Sequence, residues 1–304
     1  MSFYHNILSS KISGSTDGGE NKLPSLVDRT VTEITEDDLR GATKISSYAF
    51  YKCEKLVSVT IPEGVTEISE RPFGECRALQ KIVIPKSMAK FSNYAFYGLT
   101  GTSHYYDMYI KDVNSWVNIT IVPGNTVEDD VYPRQAILHF MDNDGNEITN
   151  IAVPEGVENL RKYIFSGGCN LVSIYIPNTV TTIGSHAFYA CYDLKSVNLP
   201  ESITTINAYT FFKCRNLVNI DIPKGVESIG TNVFSECHSL KDVILRSETI
   251  CTLANSGMFS SCYHISGMKN STYNPTGAKD GYFYVPRALV EDYKIATNWS
   301  TYST

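Results

Sequence analysis

Apolar residues along this chain recur at a fixed spacing of 23 residues, and polar residues fill the positions between them. Phe188, Phe211 and Phe234 keep that spacing, as do Cys191, Cys214 and Cys237 three positions later and Leu194, Leu217 and Leu240 three further on. Pro200 and Pro223 follow, then Ile203 and Val226, then Ile206 and Ile229. A period in the twenties marks a solenoid, because a unit that short must stack on a neighbour to bury its apolar face. Within each unit Leu-x-x-Val/Ile-x-Ile predicts a short strand, as in Leu56, Val59 and Ile61 or Leu79, Ile82 and Ile84. Strand alternation then sends Ser58 and Thr60, or Lys81 and Val83, to the opposite face. Pro62 and Pro85 end the strand, since proline cannot donate to a ladder. Gly64 or Ser87 carries the turn, and a second apolar pair such as Val65 and Ile68 closes the coil. The Ala-Phe-x-x-Cys piece predicts a tight helical or turn segment with its ring at the centre. The core ladder expected from this is Phe50, Phe73, Phe96, Phe165, Phe188, Phe211, Phe234 and Phe259.

Departures from the pattern divide the chain. Residues 1–28 lack it and are rich in Ser and Gly, which predicts a flexible tail or attachment segment. Residues 29–96 hold an N-terminal cap and the first repeats. There Val31 and Ile34 resemble the second half of a repeat, and Thr35 with Asp38 forms a capping-box-like turn. The pattern lapses after Phe96 and returns at Phe165, a gap of 69 residues, or three periods. Residues 97–150 are therefore read as one irregular insert coil that stays in register. Asp142 to Gly145 is read as a hairpin turn, and Trp116 is expected to pack on the flank. Regular repeats run over 151–265, and 266–304 is a loop followed by a C-terminal cap. In that cap Leu289, Val290, Tyr293 and Ala296 share one helical face, with Trp299 beyond. The pattern predicts a β-rich α/β repeat, a solenoid of about 23-residue coils with caps at both ends and one irregular insert.

The repeat Ala-Phe-x-x-Cys-x-x-Leu-x-x-Ile-x-Ile-Pro-x-x-Val-x-x-Ile resembles the BspA-like leucine-rich repeats, over about residues 30 to 300. The resemblance implies that the expected fold class is a right-handed leucine-rich-repeat solenoid, and it implies a non-enzymatic binding or adhesive role. The end segments LPSLVDRTVTEITEDDLRGATKI and YVPRALVEDYKIATNWSTY are similar to versions carried by phages and prophages of gut bacteria. That resemblance implies a virion surface protein, with a bacterial cell-surface adhesin as the alternative.

Composition narrows the chemistry. Apolar residues make up 42% of the chain, enough for a continuous core, and the formal net charge is −6. Basic residues form no cluster, which argues against a nucleic-acid partner. Six of the eight cysteines, Cys53, Cys76, Cys191, Cys214, Cys237 and Cys262, share one repeat position. Coil spacing would allow neighbouring pairs to bridge, but a shared packing position already explains them as small buried hydrophobes, so free thiols are expected. Cys169 sits one place late and Cys251 lies outside the pattern. The start shows no secretion signal and no window is apolar enough to span a membrane, so membrane insertion is not expected. The six histidines share no metal spacing. The run Asp142 to Glu147 looks like a calcium loop, but its Gly is misplaced and no Glu closes it. No phosphate-binding, dinucleotide or serine-nucleophile motif is present. The expectation is no catalytic residue, no cofactor and no metal. Asn118, Asn270 and Asn298 are sequons by chance.

A binder should differ from a structural or decoration protein in its outward residues. The outward ladder reads Ser58, Thr60, Lys81, Val83, Ser173, Tyr175, Ser196, Asn198, Asn219, Asp221, Asp242 and Ile244, small and polar with one aromatic. The insert is richer, with Tyr94, Tyr97, His104, Tyr105, Tyr106, Tyr109 and Trp116. The candidate ligand contacts are Tyr105, Tyr106, Tyr109 and Tyr175. The expected partners are a host surface protein or glycan, and another virion protein reached through the N-terminal segment.

Overall fold

The structure is a computed structural model that describes residues 29–92, 94–96, 99, 105–121, 136–167, 170–265 and 281–302. The predicted attachment segment 1–28, together with Tyr97, His104, Cys169 and Asn270, lies outside the described residues. The chain forms two compact units, Met1–Glu147 and Ile148–Thr304. Both are stretches of leucine-rich-repeat solenoid, with about nine coils of roughly 23 residues in all.

In the first unit each coil contributes a strand to two parallel ladders. The strands are β1 (Glu33–Ile34), β2 (Lys44–Ile45), β3 (Ser58–Thr60), β4 (Glu67–Ile68), β5 (Lys81–Ile84), β6 (Lys90–Phe91) and β7 (Tyr106–Ile110). Helix α1 (Val113–Asn118) follows, then β8 (Thr120–Ile121), β9 (Ala136–Met141) and β10 (Glu147–Ile148). The larger sheet has the order β1-β3-β5-β7-β9-β10 and the smaller β2-β4-β6-β8. Val59, Ile82, Met108 and Leu138 occupy one rung of the larger sheet and are all buried. The insert, which the spacing predicts to be one irregular coil, instead supplies two further parallel strands, β7 and β9, because both pair in register on the same sheet. Asp142 to Gly145 forms the turn between β9 and its sheet neighbour β10.

The cap differs from its sequence reading. Ile34 pairs with Val59, so Val31 and Ile34 belong to the first ladder of the coil. The second-ladder position is taken by Ile45, opposite Ile68. The spacing Val-x-x-Ile is shared by both halves, and only Ala42 with Ile45 fits the turn made at Gly41. Thr35 and Asp38 do form reciprocal bonds: Thr35 N–H donates to Asp38 Oδ2 at 2.9 Å, and Asp38 N–H to Thr35 Oγ1 at 3.4 Å.

The second unit repeats the design. Its strands are β11 (Asn150–Ala152), β12 (Asn159–Leu160), β13 (Ser173–Tyr175), β14 (Thr182–Ile183), β15 (Ser196–Val197) and β16 (Thr205–Ile206). They continue with β17 (Asn219–Ile222), β18 (Ser228–Ile229), β19 (Asp242–Leu245), β20 (Thr252–Leu253) and β21 (Tyr282–Tyr284), then helix α2 (Val290–Ile295). The outward ladder runs β11-β13-β15 and β17-β19-β21. The cap is held by Trp299, whose Nε1–H donates to the Cys251 carbonyl at 2.6 Å, and by Tyr293, whose hydroxyl accepts from Cys251 N–H at 3.0 Å.

The phenylalanine column is the core. Phe50 and Phe73 are stacked at 5.6 Å in the first unit. Phe165, Phe188, Phe211, Phe234 and Phe259 are stacked in the second at 5.3 to 5.7 Å. Phe96 is buried but turns edge-on to Phe91 at 4.9 Å, and Phe91 in turn meets Trp116. Trp116 is therefore a core residue of the insert and not a flank residue, because the short helix α1 turns its ring inward.

The Ala-Phe-x-x-Cys piece is a turn with a left-handed residue two places before and two places after the ring. The pairs include Tyr48 and Lys52, Arg71 and Glu75, His186 and Ala190, Tyr209 and Lys213, and Asn232 and Glu236. Such residues are uncommon outside glycine. They persist here because the turn's N–H groups donate to the next coil: Phe188 to the Thr210 carbonyl at 3.0 Å and Ala190 to that of Phe212 at 2.8 Å.

Candidate ligand-binding face

The outward face of the larger sheet in the first unit gathers polar and aromatic side chains around one groove. Strand β7 alternates in burial, with Tyr106, Met108 and Ile110 inward and Asp107 and Tyr109 outward. On its own rung Tyr109 lies between Val83 and His139. Its ring is stacked on the His139 imidazole, centroids 4.6 Å apart, and the Lys81 ammonium sits over it at 4.9 Å. His139 is held from both sides, Nδ1 lying 2.7 Å from Glu147 Oε1 and Nε2 3.0 Å from Asp107 Oδ1. Burial raises the Tyr109 phenol pKa, and the nearby carboxylates of Asp107 and Glu147 raise it further, so the ring stays a neutral donor.

Beside this stack lies a groove of about 490 Å³, lined by Lys81, Val83, Lys86, Tyr109, Lys111 and Met141, with Glu63 and the Asp142 to Gly145 turn on its rim. The turn is pre-formed. Asp142 Oδ1 accepts the N–H groups of Asp144 at 2.9 Å and Asn146 at 2.8 Å. These bonds, that from Asn146 foremost, hold the Asp142 carboxyl below the usual carboxylate range. Glu63 likewise accepts the N–H groups of Lys86 and Ser87, both at 3.1 Å.

The four tyrosines expected to meet a ligand are placed differently. Tyr105 is 70% exposed at the head of β7. Tyr109 is half-buried at the groove. Tyr175 is 54% exposed on β13 of the second unit. Tyr106 corrects its expectation: it is 2% exposed, so its ring faces the core, as the period of two requires of the neighbour of an outward residue. Burial raises its phenol pKa far above the ordinary value, and among the described residues its hydroxyl has no hydrogen-bond partner.

Sequence reasoning missed Tyr282 and Tyr284, 55% and 50% exposed. They stand outward in register with Asp242 and Ile244, while Phe283 between them packs on Phe259 at 5.0 Å. The alternation Tyr-Phe-Tyr held the signal, but the break in spacing before residue 281 detached it from the ladder. His139 was missed as well, because its partners Asp107 and Glu147 are distant in sequence. Further along the second unit's face, Asp221 makes a two-point pair with Arg246. Among the described residues no group of His, Cys, Asp and Glu is arranged to hold a metal ion, and no helix is long and apolar enough to cross a membrane.

A column of stacked phenylalanines under two parallel ladders, with outward positions free to vary, defines a leucine-rich-repeat protein. The chain belongs to the BspA type leucine rich repeat region family, whose pattern matches six copies over residues 31–115 and 142–266. No curated protein is significantly similar to it in sequence. Among solved structures it is similar to a leucine rich cell surface protein from Faecalibacterium prausnitzii, with 24% identity over 88% of this chain and 68% of that one and a TM-score of 0.42. It is also similar to a leucine rich repeat protein of T. pallidum, with 25% identity over 66% and 72% and a TM-score of 0.32. The pneumococcal vaccine antigen PcpA is a third, at 16% identity over 86% and 81% with a TM-score of 0.40.

Proposed function

We propose that this protein is a non-enzymatic binding or adhesion module that contacts a surface molecule of a host through the outward face around Tyr109. The observation that carries this reading is the groove itself: an aromatic ring, three lysines and a pre-formed turn project from a rigid parallel sheet. Rigid tyrosines supply contact area at low entropic cost, and sites built on strands hold their geometry better than sites on loops. Exposed Tyr175, Tyr282 and Tyr284 offer a second contact area on the other unit. The display we favour is on a phage virion, with residues 1–28 as the attachment segment to another particle protein. Display on a bacterial cell as an adhesin would use the same face.

Two measurements test the reading. Labelled protein is incubated with intact cells of gut bacteria, and saturable binding is expected; a protein that decorates purified particles yet binds no cell surface would favour a purely structural role. Mass spectrometry of purified virions and of bacterial envelope fractions decides the display: presence in virions supports the phage assignment, and presence only in envelopes overturns it.

A further inference from the structure

The groove beside Tyr109 has an unequal distribution of satisfied charges. Three ammonium groups line it, and only Lys111 is paired with an acid, Glu36 at 2.9 Å. Lys81 stands directly across from Asp107, but Asp107 turns to His139. Among the described residues Lys81 is left with the Tyr109 ring as its partner. Lys86 Nζ meets the amide oxygen of Asn143, a neutral group. The acids of the rim are committed to backbone donors: Glu63 to Lys86 and Ser87, Asp142 to Asp144 and Asn146. The Asp144 carboxylate remains at the mouth as an acceptor, and the Asn143 amide oxygen, which already accepts from Lys86, keeps its second lone pair.

The lining balances three ammonium groups against the carboxylates of Glu63, Asp142 and Asp144, so a fitting occupant places its negative charge at Lys81 and Lys86 and its hydroxyl donors at Asp144 and Asn143. An acidic peptide brings the first without a dense set of the second. A nucleic-acid backbone brings phosphate charge without the dense set of hydroxyl donors that Asp144 and Asn143 can accept. Val83 and Met141 give the groove a small apolar floor, suited to the C–H face of a sugar ring. The volume of about 490 Å³ lies within the range of small-ligand clefts, about 300–1,000 Å³.

Resting on the binding-module reading above, we infer that this groove binds a hexuronate chain, in which two ring carboxylates meet Lys81 and Lys86 while ring hydroxyls donate to Asp144 and Asn143. Two ammonium groups that lack an acid partner among the described residues favour a chain of acid sugars over a single terminal one. Such contacts are exposed and weaken with salt.

The test uses the full chain and three probes followed by titration calorimetry: trigalacturonate, neutral galactotriose and hexaglutamate. Trigalacturonate is expected to bind, less tightly as salt rises, and galactotriose is not. The double variant Lys81→Gln/Lys86→Gln should bind trigalacturonate about ten-fold more weakly, the size of two charge-assisted contacts. Lys224→Gln, on the second unit, should change nothing, and thermal melting should report all variants folded. Failure of trigalacturonate to bind, equal binding by the double variant, or tighter binding of hexaglutamate overturns the inference. If trigalacturonate fails while cell binding that depends on Tyr109 persists, the acid-sugar inference falls and the binding module stands. If both fail, both fall.

Discussion

The thiol of Cys214 donates a hydrogen bond to the carbonyl oxygen of Phe188, one coil earlier, at 3.2 Å. The same bond recurs from Cys76 to Phe50, Cys191 to Phe165, Cys237 to Phe211 and Cys262 to Phe234, at 3.0 to 3.1 Å. The carbonyls of Phe50, Phe188, Phe211 and Phe234 also accept from the backbone N–H three residues on, as Phe188 does from Cys191 at 3.2 Å. The cysteine position is thus a small hydrophobe that fills the second lone pair of a buried carbonyl.

Replacing Cys214 by Ala should cost about 1–2 kcal/mol, from the lost bond and the space left behind. Cys214→Ser keeps a donor and should cost no more than Ala. At Cys251, whose thiol lies 4.0 Å from its nearest acceptor, Ser should cost more than Ala. Urea titration of the four variants checks the order.

Alkaline pH should unfold the protein through these same thiols. Burial pushes the Cys76 and Cys251 pKa values up to about 12, and those of Cys214 and Cys237 well above 9.0. A raised pKa means the unfolded chain loses its proton first. The contribution to stability is therefore complete below the unfolded value, about 8.5, and is lost as pH rises towards the folded values. The urea midpoint should hold steady up to about pH 8 and then fall between about pH 9 and 11. A midpoint that stays flat across that window would contradict this burial of the thiols.

Ala190 has φ 59° and donates to the Phe212 carbonyl of the next coil. Ala190→Gly relieves the left-handed strain, so it should be neutral or stabilising by up to about 1 kcal/mol. Ala190→Val adds a branched side chain there and should destabilise by more than about 2 kcal/mol. Ala187, which is buried and lacks a positive φ, should show the usual loss on change to Gly. Thermal melting of the three variants distinguishes the two positions.

Much of this fold was legible because one residue type marks each structural job. Phe50, Phe188 and their equivalents gave the core, Pro62 and Pro85 the strand ends, and the three-period gap up to Phe165 the register of the insert. The left-handed positions were hidden, since Tyr48, Ala190 and Lys213 stand where glycine would announce them; bonds to the next coil fix them, and those depend on stacking. The site was half legible. The aromatic density before Trp116 pointed to the sheet that carries the groove, but density does not say which ring faces out. Tyr106 and Tyr109 differ in parity along β7, and the start of that strand is set by pairing with β5. Lys81, His139 and the Asp142 turn join Tyr109 only through that pairing.

Tyr106 offers a direct check of parity. Its buried hydroxyl has no partner among the described residues, so Tyr106→Phe should be neutral or stabilising by about 1 kcal/mol, and Tyr106→Ser should destabilise by about 3–5 kcal/mol. An outward ring would show little change in either variant.

The binding face is tested most directly by Tyr109→Ser measured beside Tyr106→Phe, with each protein's binding to intact cells and its melting temperature recorded together. The outward Tyr109 should lose most of the cell binding with a melting temperature within a few degrees of the parent, and Tyr106→Phe should bind as the parent does. Full binding by Tyr109→Ser, in a parent that binds cells, would contradict the placement of the ligand at this groove.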